Sequence, residues 1–462
     1  MLGDTAGLIV AVRSALPSLR VLTDPGDREA YRRDETAFLA TGLPGLVALP
    51  TSTDDVAALV RLAAEHRVPV VPRGAGTGLS GGSAGIEGGL TIALTGMDQL
   101  VEIDHGNLVV VTQPGVLNAR LKAAVAAEGL FYAPDPASYE ICSIGGNLGT
   151  NAGGLCCVKY GQTRESVLSL EVVLADGSVI RTGGKNVKDV AGYALQHLFV
   201  GSQGTLGIIT EATLKLRPAP PPRVTLLAFF GSIADAGRAV AAIALAGLSP
   251  VTLELMDRFT IAAVDDWQHL GLDREAAAML MVESDLPGDA GHAEMARAEE
   301  VCLACGATGS FRAADAQESD LLRNARRMAY WALDRLGVAR MEDIGAPRAR
   351  VPDLIAAIER IAAKHGVMIG TFGHAGDGNL HPTIVLARDE PDAEVRTKAI
   401  CADLYQAALD LGGTVTGEHG IGASRREWLE PQRGRRAVDV MRAIKSALDP
   451  GNVLNPGRVL PD

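Results

Sequence analysis

Two histidines, His374 and His381, stand seven residues apart in the segment GHAGDGNLHPT. A neutral imidazole is either a metal ligand or a proton acceptor at ordinary pH. The segment opens three readings: glycines that cradle a phosphate, imidazoles that share a metal, or a plain turn. The flanking stretches VMIGTFG and LHPTIVLA have strand character, and Asp377–Gly378 is a preferred type I′ pair. A two-residue turn there sets Ala375 opposite Leu380 and His374 opposite His381. Directly opposed side chains share one face with Cβ atoms about 4.5–5.5 Å apart. Both rings could then reach one ion at roughly 2.0–2.2 Å. A third ligand is on offer in TVTGEHGIG, which carries Glu418 and His419. Neighbours on an extended segment point oppositely, so only one of the two ligates directly. A carboxylate added to two imidazoles suits Zn²⁺ or Mn²⁺, which leaves His419 as the better base. The competing account is a set of structural histidines in loops.

Three glycine clusters lie upstream: PRGAGTGLSGG (Pro72–Gly82), IGGNLGTNAGG (Ile144–Gly154) and GSQGTLGI (Gly201–Ile208). The first has little side-chain bulk, so its N–H groups can point inward as a nest for a pyrophosphate. It lacks the Gly-Lys-Ser/Thr of a Walker loop, and no helical pattern opens behind it as in a dinucleotide fingerprint.

The elements that must hold these groups follow from pattern and length. A chain of 462 residues implies two or three domains. Net charge is −12, with no Lys/Arg block, which argues against a nucleic-acid surface. Six cysteines without framework spacing fit a reducing compartment. Cys302 and Cys305 form one CxxC inside an Ala-rich helical pattern and read as two buried thiols. The N-terminus has helical spacing without the features of a signal peptide, and no run is long enough for a membrane span. A cytoplasmic location is expected, with peripheral membrane contact left open. The proline run in LRPAPPPRV marks a boundary. It separates a first domain at 1–218 from a second at 219–450, with a turn-rich tail at 451–462 expected to return to the first. Before it, helices and strands mix, and SLEVVLADGSVIRTG reads as a hairpin turning at Asp176–Gly177. After it, strands alternate with helices, as in an antiparallel sheet covered by helices.

Taken in order, PRGAGTGLSGG, PDPAS, GGNLGTNAGG, KYG, KDVAGYAL and GSQGTLGI resemble the FAD domain of the vanillyl-alcohol oxidase / p-cresol methylhydroxylase superfamily. GHAGDGNLH and GEHGIG resemble the FAD-linked oxidase C-terminal domain. The resemblance covers the chain from about residue 20, and within it the D-lactate dehydrogenase, glycolate oxidase subunit and D-2-hydroxyglutarate dehydrogenase group is most similar. It implies an α+β fold: a two-part FAD-binding domain followed by an antiparallel-sheet substrate domain.

It also implies site residues. Pro72, Arg73, Gly74, Ala75, Gly76, Thr77 and Gly78 would cradle the FAD pyrophosphate. Asp135, Ser138, Gly145, Gly146, Thr150, Asn151, Gly153 and Gly154 would line the dinucleotide and flavin. Gly207 and Ile208 would lie by the adenosine half, and Asn455 would reach the isoalloxazine. His374, His381 and Glu418 become ligands of a divalent metal, Zn or Mn, and His419 the base. Arg326 is matched to the substrate carboxylate, with Arg327 and Arg348 as competitors.

Two features depart from relatives. RGAGTG has no histidine for covalent attachment, so FAD is expected to be non-covalent, and Gln203 stands where the family usually has Glu. Relatives acting on 2-hydroxyglutarate carry Asn two residues after the second loop histidine. Thr383 here tilts toward the lactate and glycolate types. The expected activity is an FAD-dependent dehydrogenase of a small D-2-hydroxy acid, passing electrons to a quinone or an electron-transfer protein. A homodimer is compatible with it. The alternatives are a flavin-binding subunit of a larger complex and a metal-dependent hydrolase.

Overall fold

The computed structural model describes residues 3–462. They form two units. The first gathers residues up to Gly153, Gln162–Ala219 and Glu418–Asp462, and the second gathers Gly154–Gly161 and Pro220–Gly417. The chain returns to the first unit at Glu418, upstream of the turn-rich tail.

In the first unit, Ser52 caps the helix Thr53–Glu65 by accepting the Asp55 N–H, and Val56, Leu59, Val60 and Ala63 form its buried face. That face covers a four-stranded sheet in the order β1 (Arg20–Leu22), β2 (Leu46–Leu49), β4 (Leu90–Ala93), β3 (Val70–Arg73). Strands β2, β4 and β3 run parallel, while β1 is antiparallel to β2. A second, antiparallel sheet has the order β5 (Leu100–Asp104), β6 (Val109–Thr112), β10 (Ile208–Lys215), β8 (Val167–Val173), β9 (Val179–Thr182). A short ribbon pairs β7 (Leu130–Phe131) with β11 (Arg217–Pro218). The β8–β9 hairpin forms, but its loop has three residues rather than two. Leu174 pairs with Ser178, and Gly177 takes φ +77°. That left-handed position is the glycine site of a three-residue hairpin loop.

The second unit is built on an antiparallel sheet in the order β15 (Ala307–Arg312), β12 (Val224–Phe230), β14 (Ala278–Ser284), β13 (Thr252–Asp257), β18 (Met368–His374), β19 (Asn379–Leu386), β16 (Val338–Met341), with β17 (Ile344–Gly345) also on β19. One face carries Leu227, Met256, Met279, Met281, Phe372 and Val385 against Ile261, Val264, Leu322, Ala325 and Leu333. The opposite face lies under the helices Ile233–Leu245, Asp289–Ala304 and Val351–His365. Two covered faces explain why β14 reads as the nearly continuous apolar run AMLMV. Cys302 is buried in the helix Asp289–Ala304, and burial pushes its thiol up to about 12, as befits a packing residue. Cys305 is only half-buried, because it sits beyond the last helical turn as the C-cap.

Charge also enters this sheet. Glu283 on β14 is fully buried and accepts from Arg223, Arg323 and Thr225. Burial alone would raise its carboxyl. The two guanidiniums more than offset that and hold it near 2, against an ordinary 4.5. A carboxyl depressed in the fold contributes stability above its unfolded pKa and loses it as pH falls through the folded one. Unfolding free energy should therefore drop by on the order of 3 kcal/mol between pH 4.5 and 2 because of this group. Chemical denaturation across that range should show a flatter profile for Glu283→Gln, and an unchanged profile would refute the assignment.

Candidate functional site

The hairpin that carries both histidines does not turn on two residues. His374 pairs with Asn379, and His381 pairs with Phe372. Ala375, Gly376, Asp377 and Gly378 form a four-residue loop, closed by Asp377 N–H to His374 O and Gly378 N–H to Ala375 O. The expected direct opposition of His374 and His381 is therefore corrected to a diagonal one. Because the shift is two residues, both rings stay on the same face of the sheet. Their centroids lie 5.3 Å apart, edge to face, and both side chains are buried. The loop is braced by Arg348, which donates from Nε to Gly376 O, and by Ala346 N–H to Gly378 O. Gly378 takes φ +77°, and a β-carbon there would lie 2.1 Å from Ala346 O. Gly378→Ala should cost about 1–3 kcal/mol of stability, read by chemical denaturation.

The residue that organises this end of the sheet was not singled out from sequence. Glu254 on β13 lies in register across from His374, since Leu255 pairs with Gly373. Its Oε1 accepts from His374 Nδ1 at 2.6 Å, which assigns the ring proton to Nδ1 and leaves the Nε2 lone pair for a ligand. Its Oε2 lies 2.5 Å from Arg326 Nη2. Burial would raise this carboxyl, but His374 and Arg326 together hold it below the usual range. The available signal was an acid interrupting an apolar strand, VTLELMD.

Arg326 is 4% exposed, on the helix Ala316–Arg327, with its guanidinium 4.7 Å above the Phe372 ring. Its approach to Glu254 is an ion pair without hydrogen-bond alignment. Nε and Nη2 donate to no aligned acceptor among the described residues. A buried guanidinium with unspent donors is suited to a carboxylate ligand. Of its sequence competitors, Arg348 is spent on the hairpin loop, and Arg327 is only half-buried. Thr383 is buried and donates to His381 O.

Asp343 secures the far side. It accepts from Asn379 Nδ2 at 2.7 Å, Thr416 Oγ1 at 2.7 Å and Gly417 N–H at 2.8 Å, and it lies 3.9 Å from His381 Nδ1. The backbone it anchors runs directly into Glu418 and His419, which open the last part of the first unit. The donors present in the second unit, an imidazole pair with one ring nitrogen fixed by a carboxylate, fit a divalent metal.

The first unit carries the residues expected to cradle the dinucleotide. The loop after β3 is half-buried, and the N–H groups of Gly76, Thr77 and Gly78 donate to no protein acceptor among the described residues. Pro72 and Arg73 end β3. Arg73 folds back beneath the loop and donates to Ser83 O, and a β-carbon on Gly76 would strike its guanidinium at 2.1 Å. Ser143 Oγ accepts from Ala75 N–H and Gly146 N–H, and a β-carbon on Gly74 would meet it at 2.3 Å. The second glycine cluster is not an open loop. Ile144–Thr150 is a short helix capped by Ser143, with Asn151 left-handed at its end. Gly145 packs on Pro114, Thr150 bonds Gly146 O, and Asn151 is spent on Gln162 and Arg164. Asp135 is buried and Ser138 half-buried, while Gly153 and Gly154 fall where the chain passes between units. Gly207 packs on Val172, and Ile208 lies in the core.

Gln203 holds the first unit's last segment. It donates to Ser80 Oγ and accepts from Gly422 N–H, and Ser80 Oγ donates to His419 O. Asn455 donates to Gly82 O and Gln203 O, so its amide nitrogen ties the tail to the loop. Its Oδ1 is buried and has no hydrogen-bond partner among the described residues. Unspent amides around a space kept clear by glycines fit the pyrophosphate of FAD.

Comparison with known proteins agrees. Residues 44–183 match the FAD binding domain family, and residues 219–459 match the family described as FAD linked oxidases, C-terminal domain. The chain is 45% identical to glycolate oxidase subunit GlcD of Bacillus subtilis over 94% of this chain and 92% of that one. It is 36% identical to a D-lactate dehydrogenase of Archaeoglobus fulgidus over 94% and 96% of the two. Among solved structures, p-cresol methylhydroxylase superposes with a TM-score of 0.81 at 19% identity, over 98% and 96% of the two chains. That last likeness shows the fold, as expected from the sequence: an α+β FAD domain with an antiparallel-sheet partner. The chain belongs to the FAD-linked oxidases and is an FAD-dependent oxidoreductase.

Proposed function

We propose that this chain oxidises a small D-2-hydroxy acid, of the D-lactate, glycolate or D-2-hydroxyglutarate type, to the 2-oxo acid. The observation that carries the reading is Arg326, a buried guanidinium with unspent donors, one carboxylate away from a buried histidine pair. A hydroxy acid offers a carboxylate and a hydroxyl proton. Arg326 receives the first, and holding it orients C2. His419 takes the second. His374, His381 and Glu418 hold a divalent ion, Zn²⁺ or Mn²⁺, which when bound polarises the hydroxyl as a Lewis acid. The loop Pro72–Gly78 holds FAD non-covalently, and the cofactor when bound supplies the two-electron acceptor. Thr383, buried with its hydroxyl turned to its own backbone, favours the lactate and glycolate types over a dicarboxylate.

Beyond the substrate, electrons pass to a quinone or an electron-transfer protein. Relatives named as a subunit support a second reading, a flavin-bearing subunit of a larger assembly. No helix among the described residues is long and apolar enough to cross a membrane. A cytoplasmic site, peripheral to the membrane where the acceptor is a quinone, is the location proposed.

Anaerobic addition of D-lactate or glycolate to the flavin-loaded protein should bleach the flavin, and L-lactate should not. If dithionite bleaches it but no D-2-hydroxy acid does, the substrate assignment falls.

A further inference from the structure

We propose that Glu254 is a positioning residue that couples the metal-binding and carboxylate-binding halves of the site. The proposal rests on the reading of His374 and His381 as metal ligands. Glu254 is 1% exposed and sits mid-sheet, with one carboxylate oxygen on His374 Nδ1 and the other against Arg326. Each contact does a separate job. Accepting from Nδ1 fixes the His374 tautomer, so the lone pair is presented from Nε2 and the ring cannot flip. The ion pair fixes where the Arg326 guanidinium sits over Phe372, while its misalignment leaves Nε and Nη2 donors for an incoming anion. One rigid carboxylate on a central strand therefore sets the spacing between the ligand histidine and the carboxylate-binding arginine. A loop-borne acid could not, because neighbours on both sides of β13 fix its backbone. Aspartate at this position would keep the charge, but its shorter side chain could not reach both partners.

The test uses Glu254→Gln in the full, flavin-loaded chain. The amide keeps the volume and an acceptor for Nδ1 but removes the charge opposite Arg326. Zn²⁺ affinity is measured by chelator competition without substrate, and kcat and KM for D-lactate are measured separately. Zn²⁺ affinity should fall about 10–100-fold, with KM raised and flavin content unchanged. A merely structural ion pair would lower thermal stability and leave Zn²⁺ affinity and KM of the folded fraction as they were. That result overturns the proposal while leaving the metal reading intact. If the wild-type chain binds no Zn²⁺ or Mn²⁺, the metal reading falls and this proposal with it. Should Glu254→Gln not fold, Glu254→Asp is measured in the same way. Wild-type affinity and KM there would equally overturn the coupling, and a loss in both would support it.

Discussion

Arg326→Met should give a protein that still carries flavin, binds substrate at least tenfold more weakly and is markedly less stable. Methionine is close in length and retains packing against Phe372, so cavity formation is minimised. What is lost is charge. Glu254 would keep one partner, His374, but lose the guanidinium that now lies 2.5 Å from it in a region closed to water. Removing one side of a buried ion pair typically costs about 3–5 kcal/mol, because the remaining charge is left uncompensated. A surface pair would lose about 1 kcal/mol or less, so the magnitude itself reports the burial. Denaturant unfolding measures the first effect and steady-state KM for D-lactate the second. Wild-type KM with lowered stability would leave Arg326 as a structural residue only, and would transfer the carboxylate role elsewhere.

His374→Ala should abolish bound metal and reduce turnover by about a thousandfold, leaving FAD in place. A Lewis acid at a developing alkoxide is worth several kcal/mol, and roughly 4 kcal/mol corresponds to that factor. The residues proposed to cradle the flavin belong mainly to the first unit, whereas His374 belongs to the second. Flavin absorbance and metal content should therefore separate cleanly. Retention of metal by the variant would remove His374 from the ligand set. Loss of flavin together with metal would mean that the substitution unfolds more than its own strand. The β18–β19 hairpin is the element to watch, because His374 is its last paired residue and Gly378 completes its loop.

Much of this site is legible without coordinates. Glycine clusters in a fixed order, two histidines about one hairpin apart and a Glu-His pair between glycines are local patterns with local physical causes. They pointed to FAD, to the fold and to the histidine pair. The residues that were not legible are those whose role is set by a partner far away in sequence. Glu254 meets His374 across 120 positions, and Asp343 meets Gly417 across 74. Ser80 and Gln203 reach the segment of His419 and Gly422 from 339 and 219 positions away.

The hairpin shows where the division falls. Strand character on both sides of Asp377–Gly378 was written in the residue types, and so was the side-chain alternation that keeps both histidines on one face. The turn length was not. Asp377–Gly378 has the composition of a two-residue type I′ turn, yet Arg348, Ala346 and the backbone of Leu253 take up the loop's polar groups and stabilise four residues instead. The second glycine cluster follows the same rule, since Ser143 caps a helix where glycine content alone implies an open loop. Which residue types stand near which turns is a local property, because propensity and periodicity act over a few residues. Register, tautomer and charge pairing were settled by long-range packing. Those depend on which distant donor or acceptor satisfies a group once it is buried, and burial makes an unsatisfied choice too expensive to persist.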